Sequence, residues 1–232
     1  VLPLDSGMAL LTNEDGKPVS VAGFGNEIAL STVKQRATLA EDLDMDGYVD
    51  LFTTSRDPGA KNSYHCNRGY GSFMHSEEYN AGFYPGKSYE TGAGGVAAAD
   101  VDGDGANDLL IGGLDGRLVL VPSDALALRR EWDKPAYHEK KLQDTAMVQV
   151  HIKGPLGVLG AVVRITDSKG RVAALRTIGC QLAGGSRGPD STTLALREPG
   201  KYDLEVRYAD GFIAKRTLQI EPGKASSVEV TR

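Results

Sequence analysis

The chain has 232 residues, 41% hydrophobic and 25% charged, enough for one large or two ordinary domains with a sizeable core. No run approaches the 18 apolar residues of a membrane-spanning helix, and no basic patch interleaved with aromatics points to nucleic acid. The net charge of −5 divides unevenly, with −10 on residues 1–144 and +5 on residues 145–232.

The chain opens VLPLDSG, with neither a methionine nor a charged-then-apolar leader, which leads us to expect a processed or truncated product. Residues 8–22 are two short apolar runs around Asn13-Glu14-Asp15-Gly16 and predict a hairpin. Strands are expected at 37–41 and 49–54, on either side of a loop in which Asp42, Asp44, Asp46 and Asp50 stand at relative positions 1, 3, 5 and 9 and Gly47 at position 6. Residues 63–79 repeat the hairpin pattern around Asn67-Arg68-Gly69-Tyr70-Gly71. The stretch from Gly94 to Gly113 then repeats the loop 58 residues on, with Asp100, Asp102, Asp104 and Asp108 at the same positions and Gly105 at the sixth. Residues 116–124 begin a third hairpin-like unit. Residues 124–144, stopped by Pro135, form a connector that closes a first domain at 1–144.

The spacing of the aspartates is that of a calcium loop. A hard cation takes about six to eight oxygens, alternate residues of a tight loop can turn carboxylates inward, and glycine at position 6 permits the bend. The carbonyls of Tyr48 and Ala106, at position 7, would add one ligand each. An EF-hand is excluded, because its closing bidentate Glu falls at position 12, and in the second loop that position is Ile111 within an apolar run. An isolated acidic turn of this kind would be unremarkable on a solvated surface, but two copies with matched apolar flanks argue for two Ca2+ sites. Magnesium fits less well, since it demands a tight octahedron and keeps its waters. Four carboxylates within nine residues repel one another, so removing the cation should loosen residues 1–144 and leave the rest largely intact.

From residue 145 the pattern becomes regular alternation, punctuated by turns at Asp167–Gly170, Glu198–Gly200, Ala209–Gly211 and Glu221–Gly223. Turns every 8–12 residues or so predict a seven-stranded β-sandwich over 145–232. The expected class is therefore all-β: a partial propeller-like repeat region with antiparallel blades, followed by a sandwich.

The alternation of aspartate loop and hairpin over roughly residues 8–125 resembles the FG-GAP or VCBS repeat of β-propellers. The residues that carry the likeness are Asp42/Asp44/Asp46/Asp50, Asp100/Asp102/Asp104/Asp108 and the hairpin Asn67–Gly71–Phe73. The resemblance implies four-stranded blades around an axis, with a cation in each loop. A closed propeller needs about 4–8 blades, whereas two repeats and a half are visible here. The chain is then a fragment, or another polypeptide completes the ring, or the repeats form an open assembly. Residues 160–165 with the Asp167–Gly170 turn, and residues 204–211, resemble the ASPIC/UnbV domain that follows such repeats in many secreted proteins. Tyr208-Ala209 stands where that family usually has Trp-Pro, and its FGLG element is missing.

Other chemistry is weakly supported. Cys66 and Cys180 are too few for a disulfide scaffold and form either one long-range bridge or two free buried thiols. His65, Cys66 and His75 lack a fourth ligand at zinc spacing, and a hairpin accounts for them. His138 and His151 have no nucleophile and acid in a recognisable motif. GxSxG, HExxH, P-loop and dinucleotide fingerprints are absent. The glycines at 92–95 and 112–113 flank strands rather than a phosphate, and Gly184–Gly188 reads as a sandwich loop. The favoured function is a calcium-stabilised, non-enzymatic interaction or accessory protein, extracellular, periplasmic or at the cell surface. The alternatives are a structural subunit of a larger assembly, whose protein partner or further repeats cover strand edges near Leu10 and Leu118–Val121, and a propeller-type enzyme acting on a polysaccharide, for which a glycan ligand is needed.

Overall fold

Short runs of β-branched, aromatic and small apolar residues between Gly, Asp and Asn turns give strands throughout. The computed structural model describes residues 2–4, 7–9, 11–14, 17–20, 35–58, 62–67, 73–75, 92–123, 146–155, 157–179, 190–196, 198–222 and 224–232. Among them there is no helix, and the class is all-β. Two hairpins come first. β1 (Leu2–Leu4) pairs with β2 (Gly7–Ala9), and β3 (Leu11–Glu14) pairs with β4 (Lys17–Ser20). The second pair is the expected hairpin, with Glu14 opposite Lys17 and Asp15-Gly16 between them. The first pair was not foreseen, because three-residue strands are too short to show an alternation.

The first aspartate loop joins β5 (Gln35–Glu41) to β6 (Asp50–Ser55) in an antiparallel sheet ordered β5-β6-β7-β8, with β7 (Ser63–Asn67) and β8 (Phe73–His75) completing it. The second loop joins β9 (Ala93–Ala99) to β10 (Asp108–Gly113), and β11 (Leu118–Val121) pairs on β10 as β7 pairs on β6. The segment expected to open a third hairpin-like unit is thus the third strand of the second sheet. The connector at 124–144 lies outside the described residues.

The two sheets meet across one apolar cluster that takes Ala37 and Leu39 from β5, Phe52, Tyr64, and Val96, Leu109, Ile111 and Val121 from the second sheet. Each Val, Leu, Ile or Phe among them contributes about 1.5–3 kcal/mol of burial. Close approach depends on the small residues of β9. The Thr54 hydroxyl reaches across to donate to the Gly94 carbonyl at 2.7 Å. A Cβ on Gly92, where φ is +80°, would lie 2.4 Å from the Arg56 carbonyl oxygen.

Residues from 146 onward form two facing sheets. One is ordered β15-β12-β18 and the other β14-β13-β16-β17, from β12 (Ala146–Lys153), β13 (Val162–Asp167), β14 (Val172–Thr177), β15 (Ser191–Leu196), β16 (Gly200–Arg207), β17 (Ile213–Ile220) and β18 (Ala225–Thr231). Seven strands were expected and seven are found among the described residues. β12 and β18 run parallel, a pairing that alternation alone cannot disclose. The inward residues of both sheets, among them Val148, Val150, Ile165, Leu194, Leu204 and Val206, make a core of their own. Tyr208 closes one end by donating to the carbonyls of Lys153 (2.9 Å) and Val230 (3.2 Å). Gly184–Gly188 lies outside the described residues.

Candidate metal centre

Each loop begins where an antiparallel pair must turn, and its aspartates satisfy the amides that the turn strips from the ladder. Most of these bonds recur in both copies, although Asp42 Oδ1 accepts from Asp46 (2.9 Å) where Asp100 Oδ1 accepts from Gly103 (2.7 Å). Asp42 Oδ2 accepts the Gly47 amide at 2.9 Å, and Asp100 Oδ2 accepts that of Gly105 at 3.1 Å. Asp44 Oδ1 accepts from Asp46, and Asp102 Oδ1 from Asp104, both at 3.1 Å. Asp46 Oδ1 accepts the Tyr48 amide at 2.7 Å, and Asp104 Oδ1 that of Ala106 at 2.8 Å. The ninth-position carboxylate uses both oxygens in each loop. Asp50 Oδ2 accepts from Leu43 and its Oδ1 from Asn67, while Asp108 Oδ2 accepts from Val101 and its Oδ1 from Ser123.

The outcome is two matching triads. Asp42, Asp44 and Asp50 each present a carboxylate oxygen within 4.8 Å of the others, and so do Asp100, Asp102 and Asp108. Asp46 and Asp104 stand outside these triads. An all-carboxylate donor set on a tight loop fits a hard divalent cation.

The fourth position of the loop must be left-handed. The second loop meets this with Gly103 (φ +81°), the first with Met45 (φ 58°), the one described non-glycine residue with positive φ. Met45 and Leu43 are buried, whereas Val101 is 59% exposed. The first loop is therefore an enclosed site and the second lies open to solvent on one side.

Enclosure sets the electrostatics. Burial lifts the Asp42 carboxyl well above its ordinary range; the charges of Asp44, Asp50 and Asp46 add to the effect, and Arg176 opposes it. Burial, then the charge of Asp44, pushes Asp50 up to about 8, against the Asn67 amide and the Tyr64 hydroxyl that favour its ionised form. In the open loop Asp104 is raised by desolvation, with Asp102, Asp100 and Asp108 adding. A cation placed among such groups reverses the penalty.

Several neighbours escaped the sequence. Tyr64 donates its hydroxyl to Asp50 Oδ2 at 3.0 Å, and the Cys66 thiol donates to Asp44 Oδ2 at 3.5 Å. Of the two states open to Cys66, the structure has the unbridged thiol, half-buried, its pKa raised by burial and then by Asp44; Cys180 lies outside the described residues. Glu41, one residue before the first loop, pairs with Arg176 of the sandwich at 3.2 Å. The spacing of the loop carries no signal for these partners, because they come from other strands.

Residues 42–111, which take in both loops and the strands between them, match a family model described as FG-GAP-like repeat. No curated protein matches the chain. Repeats of this kind are typically non-catalytic interaction domains of extracellular or surface proteins. The matched stretch stops short of the sandwich, so the similarity rests on the two loops and the blades they open.

Proposed function

We propose that the chain is a calcium-stabilised, non-enzymatic interaction or accessory module of an extracellular, periplasmic or cell-surface protein. The observation that carries this reading is the duplication of one hydrogen-bond network around two carboxylate triads. One Ca2+ per loop would be held by Asp42, Asp44, Asp46 and Asp50, and by Asp100, Asp102, Asp104 and Asp108, with the carbonyls of Tyr48 and Ala106 completing the shells. When bound, the ion supplies charge neutralisation and a fixed loop geometry. The protein's own part is to hold the carboxylates and the strand ends they cap. The sandwich then stands in the place of an ASPIC/UnbV-like domain. Calorimetry with Ca2+ on the whole chain should give two binding events; no binding by the wild-type chain would overturn the reading.

A second reading, a structural subunit of a larger assembly, draws on one observation. Leu110, Leu118 and Leu120 are 40%, 72% and 45% exposed on the paired strands β10 and β11, where Leu110 lies opposite Leu120. An apolar face of this kind suits a protein partner or a further blade. Native mass measurement of the purified chain should show species larger than one copy.

A further inference from the structure

We infer that the two aspartate loops are also the docking surface for the C-terminal sandwich, so that cation occupancy fixes the sandwich against the repeat region. Met45 at the tip of the first loop and Ala106 of the second, each fully buried, pack with Ala195 of β15 and Met147 of β12 in one apolar cluster. The burial explains why a methionine is retained at a left-handed position that the other loop gives to glycine. Next to it, Glu41 and Arg176 form a buried ion pair across the same boundary. A small polar crevice lies between Glu41, Ala98, Asp100 and Asn107 on one side and Gln149 and Thr193 on the other, with room for about one water. Asn107 Nδ2 and Thr192 Oγ1, both buried, have no hydrogen-bond partner among the described residues. A bridging water there would join loop to sandwich. The opposite net charges of the two parts, −10 and +5, favour the same contact.

Strand β15 separates two jobs by alternation. Leu194 and Leu196 face the sandwich core, while Thr193 and Ala195 face the loops. The sandwich can therefore leave the loops without losing its own core. In the cation-free chain the crowded acidic side chains lose the ion that bridges them, and the spreading of the loop displaces Met45 and with it the contact. Linkage then requires the reverse effect: docking must tighten cation binding.

The inference rests on the calcium reading and separates from it in the test. Small-angle scattering of the full chain, with Ca2+ and with chelator, should show a smaller radius of gyration with Ca2+. Ala195→Phe and Thr193→Phe, two neutral wedges on the loop-facing side of β15, should each remove that compaction and weaken calcium binding about tenfold, while the sandwich keeps its own melting transition. Calcium binding by the wild type with identical scattering in both conditions, or wild-type affinity in both wedge variants, overturns the docking role alone. No calcium binding by the wild type overturns the calcium reading together with it.

Discussion

At the scale of single residues, the first loop holds the same four carboxylates as the second in less water, and Asp50 shows the consequence. In the cation-free protein the folded chain keeps a proton on Asp50 that the unfolded chain releases near 3.8, so folding takes up a proton between there and about 8. The raised value means that this contribution is fully present below about pH 4 and is lost as the pH rises through 8. Melting temperature in chelator should accordingly fall over that window, and Asp50→Asn should flatten the slope; a rise with pH would contradict the assignment. On the calcium reading proposed above, the ion competes with the same proton, so affinity at the enclosed loop should grow with pH over the same range, as calorimetry at several pH values can check. Met45 tests a different balance. Its positive φ costs about 1–2 kcal/mol, and Met45→Gly relieves that, yet truncating a fully buried methionine costs about 2–5 kcal/mol. The loss exceeds the relief, so the variant should be less stable by denaturant titration.

At the scale of elements, the first sheet must lie close on the second, and Gly92 meets Arg56 where the two come together. Gly92→Ala places a methyl against the Arg56 carbonyl and strains a positive φ, so it should destabilise by more than the roughly 1–2 kcal/mol of the backbone strain alone; a neutral result would show that the two sheets can separate freely at this edge. The elements themselves were largely legible. The spacing of Asp42 to Asp50 and of Asp100 to Asp108 placed both loops, because ligand geometry on a short turn needs few residues and all are local. The alternation from Met147 onward gave a two-sheet sandwich, because each strand has one wet and one dry face. Illegible were the parallel seating of β18 beside β12 and the arrival of Tyr64, Cys66 and Arg176 at the first loop. Those contacts join strands far apart in the chain, and no local pattern encodes them. The enclosure of one loop and the openness of the other belong to the same class, since Leu43 and Val101 read alike until their neighbours are in place.

At the scale of the whole molecule, the repeat region and the sandwich each have a core, and they share a boundary whose polar anchor is Glu41–Arg176. Chelation should lower the melting transition of the repeat region and leave that of the sandwich nearly in place, because no sandwich core residue comes from a loop; differential scanning calorimetry with and without chelator reads both. The ion pair gives a sharper prediction. Burial raises the Glu41 pKa, and the charge of Arg176 holds it down. Removing the guanidinium leaves a carboxylate in a nearly dry setting, which typically costs about 3–5 kcal/mol when a buried pair is broken from one side. Arg176→Ala should therefore be strongly destabilising. Glu41→Gln in the same chain removes the stranded charge and should restore much of the loss, so that the double variant is more stable than Arg176→Ala alone. A double-mutant cycle by chemical denaturation measures the coupling directly. Additive losses from the two substitutions would mean that the pair is incidental to the boundary, and that the apolar contact of Met45 with Ala195 holds it without electrostatic help.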